Sequence, residues 1–317
     1  MLKVNELENK VDDEKMENFI KLMKEKLQEQ EIENKKENKK EEKKEETNFI
    51  DEVRKYVTKN KTKVHVLTPC YGGLCHVNYV LQIMETKELL NKLGIEVTLV
   101  LMKNESLIQR GRNNLIAKAM ADPNMTHVFF IDSDITWKPV DVLKLILADK
   151  EVVGGIYPLK KYHWDKLFGE EMKKIQENHK KSYNQSISEI DFIKQNLLKY
   201  NLNYLPNSKI ANNIMEVSTL ATGFMMIKRT CIEKMMINFK NAKYTDDCNA
   251  LTEAENKYAY ALFDCGIIND HYYSEDWMFC HRWREMGNHV YADVTIDLWH
   301  SGQEDYAGRL LSSLSIN

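Results

Sequence analysis

Thr126-His127-Val128-Phe129-Phe130-Ile131-Asp132-Ser133-Asp134-Ile135-Thr136-Trp137 is an apolar run that ends in two carboxylates. Its core, residues 128–131, is too short for a helix and rich in β-branched and aromatic side chains, so it predicts a buried strand. Asp132 and Asp134 emerge at the C-terminal end of that strand, separated by Ser133. Ligands of an open α/β sheet bind in the crevice beyond the carboxyl ends of its strands, which is where these aspartates fall. Two carboxylates this close repel each other, and a bound cation removes that cost. A hard divalent ion suits the pair, with its remaining positions going to water and phosphate oxygens.

Strands and helices alternate around this stretch. Residues 63–69 predict a first strand ending in the turn Cys70-Tyr71-Gly72-Gly73, and 76–93 a helix stopped near Gly94. Residues 96–102 predict a second strand, 106–120 a second helix, and Pro139 opens a third before a strand over 152–157. The alternation predicts an α/β fold with a Rossmann-like, mostly parallel, doubly wound sheet flanked by helices. Further on, 217–227 read as a strand interrupted by Thr222-Gly223, and 240–256 as a loop. A helix is expected over 274–286, with Ser274 as N-cap and Gly287 at its end. Residues 289–299 predict a last strand leading into His300-Ser301-Gly302.

Two segments depart from this pattern. Residues 1–48 are rich in Lys, Glu and Asn and carry only a thin apolar stripe, which predicts a charged helical or disordered tail. Self-association through a short N-terminal coiled coil is the sharper alternative. The folded domain is expected over 49–317, with an insert at 160–213 that is rich in Lys, Asn and Tyr and reads as a lid or binding loop.

Composition excludes several classes. The net charge of −3 argues against a chain built mainly for nucleic acid. The six cysteines form no CxxC pair, so neither a zinc site nor a disulfide framework is expected, and reduced thiols suit a cytosol-like compartment. No apolar run approaches the ~20 residues that span a bilayer, and the N-terminus is too polar for a signal peptide. The expectation is a soluble protein, cytoplasmic or virus-associated.

Four more stretches carry chemistry. In Thr68-Pro69-Cys70-Tyr71-Gly72-Gly73, Tyr71 offers a face for a base and the glycines let backbone amides approach a ligand, although such turns also carry glycine for steric reasons alone. Gln109-Arg110-Gly111-Arg112-Asn113-Asn114 puts two guanidinium groups and three amides on one helix; Arg112 and Asn113 are the expected nucleotide contacts, against a merely solvated face. Ser274-Glu275-Asp276-Trp277 opens a helix whose dipole favours ionised carboxylates, as a general base requires, though acidic first turns are also ordinary helix chemistry. His300, at a strand end, is a candidate ligand beside the aspartates; imidazole suits Mn²⁺ better than Mg²⁺.

In this order the set resembles the GT-A nucleotide-sugar glycosyltransferases, over residues 61–308. Asp132 and Asp134 resemble that family's DxD aspartates, Leu220-Ala221-Thr222-Gly223-Phe224 its acceptor-side strand, Glu275-Asp276 its acidic pair, and His300 with Gly302 its C-terminal metal- and diphosphate-binding segment. The resemblance implies a UDP-sugar donor and Mn²⁺ (or Mg²⁺) held by Asp134, His300 and Asp132. It also implies nucleotide contacts from Thr68, Pro69, Tyr71, Arg112, Asn113, Asp132 and Ser133. Asp276 or Glu275 would then act as the base for inverting transfer to a glycan, protein or lipid acceptor. The insert has no counterpart in the family. The stretch 129–136 also fits the nucleophile motif of haloacid dehalogenase phosphatases, with Asp132 phosphorylated and Asp134 as acid/base. A non-catalytic module binding sugar nucleotides or glycans is the third reading.

Overall fold

The computed structural model describes residues 47–180 and 188–303. The chain divides into two units, Met1–Lys55 and Tyr56–Asn317. In the first, residues 47–55 are helical; the tail and self-association expected for the N-terminus otherwise lie outside the described residues. The second unit begins β1 (Lys63–Cys70), α1 (Val77–Lys92), β2 (Glu96–Lys103), α2 (Ile108–Met120) and β3 (His127–Ile131), as the periodicity predicts. It continues with β4 (Ile135–Thr136), α3 (Pro139–Ala148), β5 (Val152–Gly155), α4 (Glu170–Lys180), α5 (Glu189–Asn196), β6 (Leu202–Tyr204), β7 (Ile210–Ala211), β8 (Ile214–Leu220) and β9 (Phe224–Lys228). The last elements are α6 (Arg229–Asn238), α7 (Glu253–Asn256), β10 (Gly266–Ile268), β11 (His271–Tyr273), α8 (Glu275–Glu285), β12 (Val290–Asp293) and β13 (Trp299–His300).

The central sheet has nine strands in the order β2-β1-β3-β9-β5-β12-β8-β6, with β7 also on β8. β2, β1, β3, β5 and β12 point the same way, and β9 runs against its neighbours between β3 and β5. The molecule is thus a Rossmann-like α/β fold with a mostly parallel sheet. β3 reads as a continuous apolar run because both of its faces are covered. Phe129 packs edge-on against Phe224 (centroids 4.8 Å apart), while its neighbour Phe130 meets Phe263 (5.3 Å) on the opposite face. Both rings are fully buried, each worth about 1.5–3 kcal/mol. The Phe130 side is one core shared with α2, α6 and α8, through Leu115, Ile232 and Trp283 among others.

Two expected strands end differently. The stretch 217–227 is not one interrupted strand but two, β8 and β9, held in different parts of the sheet. The strand expected over 289–299 stops at Asp293, whose Oδ1 accepts from Thr295 N (2.8 Å) and Oγ1 (2.7 Å) and so turns the chain. Trp299 and His300 then form a separate small ladder with β4, beside the aspartates.

The insert forms part of the wall of a cavity. Its C-terminal end is stitched to the segment after β5: His163 N donates to Leu197 O (2.9 Å), Leu159 N to Lys199 O (2.8 Å) and Asn201 N to Tyr157 O (3.0 Å). Residues 181–187, near its middle, lie outside the described part. Among the described residues no helix is long and apolar enough to cross a membrane.

Candidate active site

Asp132 and Asp134 lie just beyond the C-terminal end of β3, and Tyr157 just beyond that of β5. Asp132 follows β3 directly, its N–H donating to Gly223 O (3.0 Å) just before β9. Because β9 is reversed, its first residues lie at the same edge as the end of β3. Gly223 is required there: a Cβ would sit 2.7 Å from the Tyr157 ring. Tyr157 itself, two residues beyond β5, is buried against this edge.

The Asp134 carboxylate faces two basic side chains. Lys160, from the start of the insert, reaches its Oδ2, and His300 Nε2 lies 3.5 Å from the same oxygen. The β4–β13 ladder delivers that histidine, with Ser301 N donating to Asp134 O at 2.8 Å. Burial alone pushes the Asp134 carboxyl up, but the hydrogen bonds from His300 and Lys160 hold it down at about 2. The Pro158 carbonyl lies 2.9 Å from His300 Nδ1. A carbonyl has no proton to give, so Nδ1 is the donor and Nε2 is the atom turned to Asp134.

Asp132 sits in a second charge cluster. Arg112 Nη2 lies 3.1 Å from its Oδ1, while Arg112 Nε lies 3.1 Å from Glu275 Oε1. The Arg112 side chain is only 4% exposed. Burial works against its charge, but the neighbouring Asp132 and Glu275 carboxylates keep the guanidinium protonated. Its Nη1 is buried with no hydrogen-bond partner. The guanidinium therefore joins the tip of β3 to the start of α8, and removing one member of such a buried pair costs about 3–5 kcal/mol.

These facts correct the expected nucleotide contacts. Arg112 is a buried strut, not a hand extended to a nucleoside. Asn113 is spent on the backbone, with Nδ2 donating to Phe263 O (2.7 Å) and Oδ1 accepting from Phe263 N (2.9 Å). Asn114 accepts from the Tyr244 hydroxyl. Residues 112–114 of this polar run are thus buried, while Arg110, paired with Glu105, stays 38% exposed. Thr68 is fully buried and bonded to Tyr79 (2.6 Å), so its hydroxyl is also taken. Pro69 is part of β1. Ser133 offers its carbonyl to His76 N (2.9 Å). Tyr71, by contrast, is 82% exposed beside Gly72 and Gly73, whose φ of 63° and 73° demand glycine.

Asp276 lies nine-tenths buried in the first turn of α8. Ser274 does not cap that helix through its side chain; its hydroxyl donates to Asp276 Oδ1, which also accepts from Trp277 N (2.8 Å). Burial raises the Asp276 carboxyl above the usual range, opposed by the Ser274 bond, and the nearby Glu275 charge adds to the rise. Of the acidic pair, Glu275 is paired with Arg112, while Asp276 accepts from the neutral donors of Ser274 and Trp277.

Among the described residues no group of three or more His, Cys, Asp or Glu side chains is arranged to hold one metal ion. The convergent pair is Asp134 with His300, and Asp132 is drawn off by Arg112. Sequence reading missed Tyr157 and Lys160; Tyr157 follows a strand tip, the place where site residues collect, so its position was a usable signal. Asp246 accepts from the amides of Cys248, Ala250 and Leu251, which ties it to its own loop and not to the strand tip.

No family model matches this chain, and no curated protein matches it. Among solved structures it is similar to A197 from STIV, with a TM-score of 0.40 and 15% identity, covering 78% of this chain and 97% of that one. At that distance the likeness assigns no residue a role.

Proposed function

We propose that this cluster is the catalytic centre of a metal-dependent, GT-A-like glycosyltransferase. It would move a sugar from a nucleotide diphosphate donor, a UDP-sugar, to an acceptor hydroxyl with inversion. The observation that carries the reading is the Asp134–His300 pair, whose imidazole is oriented by a backbone carbonyl as a metal-bound histidine usually is. Its nitrogen and oxygen donors fit Mn²⁺ better than Mg²⁺. Asp134 and His300 would hold the ion, with the donor's phosphates and water completing the set. When bound, it would supply positive charge to the leaving diphosphate.

The rest is work for the chain's own side chains. Lys160, already on Asp134, adds a second positive charge where the diphosphate would lie. Tyr71 would stack on the base. Arg112 positions the start of α8 against the β3 tip by pairing Asp132 with Glu275. Asp276 would take the acceptor's hydroxyl proton as the oxygen bonds to the anomeric carbon and the bond from that carbon to the phosphate oxygen breaks. A carboxyl raised by burial is a stronger base than a solvated one, which suits that step.

Incubation with UDP- and GDP-sugars, with and without Mn²⁺, tests the reading. A donor should stabilise the protein against heat, or be slowly hydrolysed, only when the metal is present. Phosphate release from a simple aryl phosphate, with no response to any sugar nucleotide, would move the protein to the phosphatases.

A further inference from the structure

A cavity opens beside the cluster. It has a volume of about 1260 Å³ and is walled by the insert on one side and by residues 293–303 on the other. That exceeds the roughly 300–1,000 Å³ of a usual small-molecule pocket. Lys160 and His300, the two side chains on the Asp134 carboxylate, are among its lining residues. The wall carries aromatic rings that a stable core would hide: Trp164, Tyr204 and Trp299 are 50%, 67% and 51% exposed. Tyr162 lies beside Trp164 with centroids 4.9 Å apart and planes tilted by only 33°, so the two make a broad platform. The same wall carries groups of both signs, including Asp191 and Lys194.

We propose that this cavity binds a carbohydrate chain, the acceptor of the reaction. Calling that chain the acceptor rests on the transferase reading above; the binding itself does not. A sugar ring presents an apolar C–H face to an aromatic plane, while its hydroxyls both donate to carboxylates and accept from ammonium groups. Aromatic platforms with mixed charges on the same wall match that chemistry. A lipid tail would want a wall without ionic groups, and a strongly charged peptide would want one sign only. A volume of about 1260 Å³, lined by residues from both His300 and Ile210, is more than a single sugar ring would fill.

The test uses the full chain, fluorescently labelled, on printed arrays of oligosaccharides and of peptides, in parallel with a UDP–Mn²⁺ thermal-shift assay. Capture of oligosaccharides should fall at least about tenfold in Trp164→Ala and in Tyr204→Ala, while the nucleotide-induced shift stays as in the parent. Both side chains are largely exposed, so the folded state survives their loss. Glycan capture indifferent to both substitutions, or capture of peptides alone, overturns the proposal. Nucleotide stabilisation with no glycan captured overturns it too and leaves the transferase reading standing. Glycan capture lost in the variants, with no nucleotide effect in any of them, upholds the cavity and removes the transferase.

Discussion

At the scale of single residues, burial and pairing sort carboxylates that look equivalent in the sequence. Asp132 and Glu275 share one guanidinium, Asp134 meets a lysine and a histidine, and Asp276 keeps only neutral donors. Asp276 is the group with a raised carboxyl, so its effect on stability has a definite sign. The folded state binds its proton more tightly than the unfolded one, so stability falls as pH rises from the unfolded carboxylate value through the raised folded one. Asp276→Asn keeps an oxygen to accept from Ser274 and Trp277 and removes that cost. The variant should melt higher than the parent at neutral pH while transfer drops by at least about a hundredfold. A lower melting temperature with activity retained would show that Asp276 is structural. The aspartates and His300 were legible in the sequence because strand tips are few and carboxylates there stand out. The inward turn of Arg112 and Asn113 was not legible, since a polar helical run looks the same whether it meets water or the backbone of a loop 150 residues away.

At the scale of elements, the reversed β9 governs the site. It brings Gly223 to Asp132 and closes the gap between β3 and β5, and it does so through close backbone contact. A Cβ on Gly154 would lie 2.1 Å from Phe224 O and 2.9 Å from a Leu220 methyl, and neither backbone nor packed core can yield that much. Gly154→Ala should therefore cost at least about 1–3 kcal/mol, read as a lower urea midpoint with an unchanged slope. A midpoint equal to the parent's would mean that β5 and β9 are not so tightly joined. The alternation of strands and helices up to β5 could be read from apolar periodicity, because each element buries a regular face. The split of 217–227 could not: both halves are apolar, and only pairing partners far away decide where each lies. The early end of β12 was hidden for a related reason, since one Asp–Thr turn ends a strand whose apolar pattern runs on.

At the scale of the whole molecule, one edge of the sheet gathers groups from residues 71 to 300. The tip of β3 supplies Asp132 and Asp134, the start of α8 Glu275 and Asp276, the β13 ladder the His300 imidazole, and the insert both Lys160 and a cavity wall. In the proposed reaction Asp134 and His300 take a divalent ion together with a nucleotide diphosphate. The direct measurement is electron paramagnetic resonance of Mn²⁺ titrated with the full chain, with and without UDP. The prediction is that free Mn²⁺ signal is lost on adding protein, that UDP strengthens the loss, and that Asp134→Ala and His300→Ala each weaken it at least about tenfold. Mn²⁺ bound equally well by both variants, or UDP bound with no regard to the ion, would contradict it.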